Sequence, residues 1–360
     1  MVVGTGGQRR ENHGRRRLGR ETLLYYLFLP ARVFAVSRLS SAASLLFASL
    51  VLSFSAQAEV RLLTSIKPLQ LIAAAVQDGV GVPEVLLPPG ASPHHYALRP
   101  SDVRRVREVE LLYWVGADLE SFLPRLLQAR DKPSIAVQDL PGMQLRHFGD
   151  EHAGHDGHDE HDGHDEAEHG EHEDEHEADE HDDAHRPGSL DAHLWLAPAN
   201  ARVIAARMAA DLAAADPANA PRYRANLAAF EARLADLDRR LRVRLAGVAG
   251  KPYFVFHEAY DYFEAAYGLR HAGVFSLGGE VQPGARHVAA MRDRLAQAGP
   301  ACVFSEPPLR PRLAETLSAG LPVALAELDA MGGALAVEAD GYERLLEQLG
   351  ENLAGCLEGL

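Results

Sequence analysis

Histidine is the residue to follow in this chain. There are 18 in 360 residues, against two cysteines. Ten of them fall in one run, residues 151–185, EHAGHDGHDEHDGHDEAEHGEHEDEHEADEHDDAH. They are His152, His155, His158, His161, His164, His169, His172, His176, His181 and His185, set among 17 carboxylates with no lysine or arginine. Imidazole and carboxylate together suit borderline divalent cations. The run reads as an auxiliary, weak metal-binding loop: a collecting or sensing arm, a store for zinc, or a soluble spacer. Alanine is its only aliphatic residue, so it cannot bury a core, and residues 150–187 are expected to be disordered. Ordering its backbone around an ion costs about 1–2 kcal/mol per residue. Ions held there should exchange quickly, and capture should weaken as histidines protonate near pH 6.5.

Apart from that run and the first 58 residues, seven histidines remain: His94, His95, His147, His193, His257, His271 and His287. Three occupy suggestive places. His94 follows the turn PPGASPHHY, just after an apolar strand pattern. His193 lies in DAHLWLAP, and His257 ends the apolar run YFVF. Ligands in open α/β sheets bind outside the carboxyl ends of strands. Three imidazoles there suit Zn²⁺ at about 2.0–2.1 Å, with a fourth position for water or another donor. A histidine at a strand end also serves as a hydrogen-bonded structural residue. Separations of about 100 and 64 positions are no local zinc motif.

Converging such distant residues requires a particular set of elements. VRLLTSI (60–66) reads as a strand and LQLIAAAVQDGVG (69–81) as a helix. VPEVLLPPGASPHHYALRPSDVRRVREVELLYWVG then gives strand, turn, helix and strand, with Pro88, Pro89 and Gly90 marking the loop. A helix over 118–130 and a strand over 133–140 complete the set. Strands alternating with helices argue for a parallel α/β sheet. Residues 199–215 and 221–247 are helical. The second carries Tyr223, Leu227, Phe230, Leu234, Leu237 and Leu241 at spacings of three and four. A helix that long spans about 40 Å. KPYFVFHEAYDYFEAAYGLR, PACVFSEPPL, PVALAEL and a helix over 338–357 form a second α/β set. The expected fold is α/β, with two lobes linked by one long rigid helix. Its parts are a leader (1–58), an amino-terminal lobe (59–220), the linking helix (221–248) and a carboxyl-terminal lobe (249–360). His94 and His193 then come from the first lobe and His257 from the second.

The net charge of −15 is local: residues 150–185 hold 18 acids and no base, and the rest of the chain carries +3. No basic field for nucleic acid exists. AASLLFASLVLSF (42–54), preceded by Arg32 and Arg38 and followed by Ala56-Gln57-Ala58, has the form of a secretory signal with cleavage near Ala58–Glu59. It is short for a membrane anchor, so the mature chain is expected not to span a membrane. The arginine-rich stretch before residue 32 fits a translation start further downstream, at Val33 or Val36. In an exported chain Cys302 and Cys356 favour a disulfide over two buried thiols.

PPGASPHHYALRPSD, HLWLAP, YFVFHEAYDYF, EVQPGA and CVFSEPPLRP, in that order, closely resemble the solute-binding proteins of high-affinity zinc-uptake ABC transporters. The resemblance covers residues 60–360, including the acid–histidine insertion. It implies a helix-linked, two-lobed protein of the metal-specific binding-protein fold with a metal between the lobes. It also implies a periplasmic monomer that delivers zinc to an inner-membrane permease driven by a cytoplasmic ATPase. Carried over, the metal ligands are His94, His193 and His257. Where some relatives have glutamate before the first histidine stands Pro93, which cannot ligate. The fourth ligand is then water, a histidine of the acidic run, or Asp329, which matches an aspartate of manganese-binding relatives. His95 is a further candidate. The cysteines match the family's disulfide.

Manganese-binding relatives replace one histidine by a carboxylate at the position of His257, so three imidazoles favour zinc over manganese. Glu258 is a poor substitute ligand, because the next residue at a strand end points elsewhere. An open three-histidine site also occurs in zinc hydrolases. Against that reading, no HExxH motif is present. Glu258 and Glu306 are the only candidates for a general base, and Glu306 pairs more simply with Arg310.

Overall fold

A computed structural model of the chain describes residues 60–149, 188–276, 285–307 and 312–360. The expected leader, the acid–histidine run with its ten histidines, Arg310 and most of EVQPGA lie outside the described residues.

Two four-stranded parallel sheets form the frame. The first contains β1 (Leu62–Thr64), β2 (Glu84–Val85), β3 (Leu111–Trp114) and β4 (Ser134–Ala136), in the order β2-β1-β3-β4. The second contains β5 (Tyr253–His257), β6 (Gly273–Ser276), β7 (Ala301–Ser305) and β8 (Val323–Glu327), in the order β6-β5-β7-β8. The central strands read as unbroken apolar runs because both faces are covered: every residue of β3 and β7 is buried. Each order reverses beside the lobe's first strand. Crevices therefore open at the carboxyl ends between β1 and β3, and between β5 and β7.

The helices are α1 (Lys67–Gln77), α2 (Pro100–Glu108), α3 (Pro124–Leu127), α4 (Pro198–Ala215), α5 (Ala220–Ala246), α6 (Asp261–Tyr267), α7 (Ala285–Ala298), α8 (Arg312–Ser318) and α9 (Gly341–Glu358). The helix expected over 118–130 shrinks to the single turn of α3. Pro124 has no N–H to bond back to Glu120. The chain before it winds around the buried Glu120 carboxylate, which accepts the amides of Val115 (3.2 Å) and Gly116 (3.0 Å). The strand expected over 133–140 ends at Ala136 and continues as a 3₁₀ turn, Val137–Asp139.

The long helix α5 has 27 residues, and Tyr223, Phe230, Leu234, Leu237 and Leu241 of its predicted stripe are buried. It is not the only span between the lobes. The last helix, α9, was expected to belong to the second lobe alone; it also lies against α5 and against α1 of the first. Gly341 of α9 leaves room for Leu71, whose Cδ2 would stand 2.8 Å from an added Cβ, and for the Ala336 carbonyl at 3.1 Å. Gly350 does the same for Leu241, at 2.5 Å. The Tyr342 hydroxyl donates to the Trp195 carbonyl at 2.6 Å. The Cys302–Cys356 disulfide fastens α9 to β7.

Candidate metal centre

Each of the three histidines stands at an element end. β5 runs Tyr253–His257 with three buried residues first, which leaves His257 at its carboxyl end facing the crevice. His94 is carried by the proline-rich loop after β2, where Gly90 turns the chain at φ 77° and Ser92 Oγ accepts the His94 amide at 3.3 Å. His193 precedes a 3₁₀ turn, Leu194–Leu196, whose three residues are buried. Asp191 fixes it twice: Oδ1 accepts the His193 backbone amide at 2.9 Å and bonds its Nδ1 at 2.7 Å.

The three rings meet. Centroids lie 5.5 Å apart for His94–His193, 5.5 Å for His94–His257 and 4.8 Å for His193–His257. One ring nitrogen from each lies within 4.8 Å of the other two. A tetrahedral zinc site has its donors about 3.4 Å apart, so an ion would draw them in by no more than about 1.4 Å. His193 is 2 % exposed. His94 and His257 are half-buried as residues, and the ring nitrogens of His94 are shielded from solvent.

Two of the three imidazoles rest on carboxylates through Nδ1: His193 on Asp191, and His257 on Glu306 Oε1 at 3.1 Å. Such a contact fixes the tautomer, orients Nε2 outward and makes it more basic. The two rings differ electrically. Burial holds His193 well below the ordinary imidazole range, and the His257 charge adds to that. Burial opposes charge on His257 too, but Glu306 overcomes it and raises the ring above 6.5. Glu306 is held below its ordinary value because His257 outweighs its own burial. Burial pushes Asp191 up to about 7, against the backbone amide that it accepts. The two rings are thus shifted in opposite directions.

The segment bearing His193 is pinned from the second sheet's side. Trp195 Nε1 donates to the Ala330 carbonyl at 2.9 Å, and the Tyr262 hydroxyl donates to the Asp191 carbonyl at 2.8 Å. Of the other expected donors, His95 is exposed. Asp329 is not within the three-histidine group; its oxygens accept the amides of Met331, Gly332 and Gly333 at 2.8–3.0 Å and so hold its own loop. Glu306 supports His257 directly, a role that the expected pairing with Arg310 does not include. Asp191 was missed altogether. Its signal was the spacing in DAH, an aspartate two residues before a histidine, from which the side chain reaches back onto the local backbone.

Residues 62–356 match the family model for the periplasmic component A of zinc-uptake complexes, ZnuA. The chain belongs to the ZnuA family. It is 40 % identical over 307 residues to the high-affinity zinc uptake system protein ZnuA of Yersinia pestis, covering 84 % of this chain and 92 % of that one. Against the protein of the same name from Paracoccus denitrificans the identity is 41 % over 307 residues, with 84 % and 93 % covered. A crystal structure of ZnuA superposes with a TM-score of 0.64 at 22 % identity, covering 82 % of this chain and 98 % of that one, a likeness of fold. All three histidines and both cysteines fall within the ZnuA-matched span. ZnuA-family membership makes the chain a transport component rather than a hydrolase.

Proposed function

We propose that this chain captures Zn²⁺ between its lobes through His94, His193 and His257 and delivers it to an inner-membrane ABC permease driven by a cytoplasmic ATPase. The observation that carries the reading is the approach of three imidazole nitrogens to within 4.8 Å of one another from distant parts of the sequence. Three neutral nitrogen donors favour zinc over manganese, which prefers more oxygen. Asp191 and Glu306 supply the negative charge that an ion between neutral imidazoles needs, without occupying its coordination positions. Water takes the fourth position in this reading, since Asp329 is engaged with its own loop. The leader through Ala58 is removed on export, and the mature chain works in the periplasm as a monomer. The acid–histidine run binds several ions loosely and raises their concentration near the cleft.

The test is calorimetry on the demetallated chain. One tight Zn²⁺ component is expected above a set of weak ones. His257→Ala should abolish the tight component and leave the weak set. A variant that kept full affinity would refute the ligand assignment.

A further inference from the structure

A second group of donors lies beside the first and takes no part in it. Glu258, Asp261 and His271 each present one ligand atom within 4.8 Å of the other two. His257 and Glu258 are successive residues at the end of β5, and each belongs to a different group. The chain bends at Glu258, where the Ala259 amide bonds back to the His257 carbonyl at 3.0 Å, and the two side chains join different groups. The strand end therefore supplies one donor to each.

His271 is 6 % exposed. Its Nδ1 lies 3.0 Å from both oxygens of Glu264 and 3.8 Å from Asp261 Oδ1. Glu264, 4 % exposed, also accepts the Tyr253 hydroxyl at 2.6 Å. Glu264 thus stands behind the imidazole as Asp191 and Glu306 stand behind the rings of the first centre. Three carboxylates surround one imidazole. Burial opposes the charge of that ring, yet Glu264, Asp261 and Glu258 push His271 up to about 9. An ion bound at Nε2 would displace the proton there, while Nδ1 keeps its bond to Glu264. Asp261 is pushed up to about 6 by burial and by the Asp191 and Glu264 charges, which the His271 and Arg146 charges offset only in part. A divalent ion placed among these carboxylates and the imidazole would be held by opposite charge in a partly buried setting.

We propose that Glu258, Asp261 and His271 form a second divalent-cation site, with Glu264 as the carboxylate that orients the imidazole. One nitrogen and two oxygen donors make it harder than the three-imidazole centre. It takes Zn²⁺ or Mn²⁺ with less discrimination, keeps water in its remaining positions and exchanges faster, because Asp261 is partly open to solvent.

The test is crystallography of the full chain grown with Zn²⁺, using anomalous difference maps at the zinc edge. Two peaks are expected, one among His94, His193 and His257 and one among Glu258, Asp261 and His271. In Asp261→Asn the second peak should disappear while the first keeps its height. A single peak at the three histidines, under saturating zinc, overturns the second site, as does a second peak that persists in Asp261→Asn. A single peak at Glu258, Asp261 and His271 would support this site and refute the ligand assignment under the proposed function, so the two readings fail separately.

Discussion

The division of labour between imidazole and carboxylate is set one residue at a time. His257 shows it best, because its proton and its metal compete for the same ring. Glu306 raises the imidazole above its ordinary value, so the apparent zinc affinity begins to fall earlier on acidification than it would for an unsupported imidazole. The same contact makes Nε2 a stronger donor when the ring is neutral. Glu306→Gln should therefore weaken zinc binding at pH 8 by about 10–100-fold. It should also move the onset of proton competition to lower pH, so that the two affinity curves converge on acidification. Competition titrations against a chelator from pH 8 to pH 5.5 would measure both effects; parallel curves would show that Glu306 does not tune the ring. At this scale the three histidines that converge were legible, because His94, His193 and His257 stand in motifs and His257 ends a strand. Their carboxylate supports were not. The Glu306–His257 contact joins residues 49 apart across neighbouring strands, and nothing periodic connects them.

At the scale of elements, hydrophobic pattern located most strands and helices, and the errors have local causes. α5 was predicted nearly to its ends, since its apolar stripe repeats over about five turns. The stretch 118–130 misled because its apolar residues fit a helix while Pro124 and the buried Glu120 enforce turns. The placement of α9 was beyond pattern altogether: its apolar face is equally suited to either lobe, and only Gly341 and Gly350 mark where it is approached closely by α1 and α5. The disulfide that ties α9 to β7 closes a separation of 54 residues. In the chain-entropy model that constraint stabilises by about 4 kcal/mol. Replacing both cysteines by serine should lower the unfolding free energy by about that amount, read from chemical denaturation. A loss below about 1 kcal/mol would mean that the unfolded chain is already restricted there.

For the whole molecule, the described residues from Val60 to Leu360 form one compact unit. α5 and α9 both span the lobes, and the His193 segment is bonded to Ala330, Tyr262 and Tyr342. Metal release by wide opening would break all of these. The described side-chain bonds of the loop that bears His94 run within it or to the helix that follows, so it is the part that should move. Hydrogen exchange should show residues 191–196 protected with and without zinc, and residues 88–99 slowed on zinc binding. Strong deprotection of 191–196 in the metal-free chain would argue for a swing of the lobes instead. The parallel sheets have a further effect on what can enter. α1 opens three residues after β1, and α6 opens four after β5. The amino end of a helix carries about half a positive charge, and crevices framed this way ordinarily attract phosphate. Here Asp191, Glu258, Asp261, Glu264 and Glu306 reverse the sign of that field around the imidazoles. The cleft therefore repels the anions its backbone would otherwise welcome, and zinc must shed phosphate- or citrate-like chelators before it can enter.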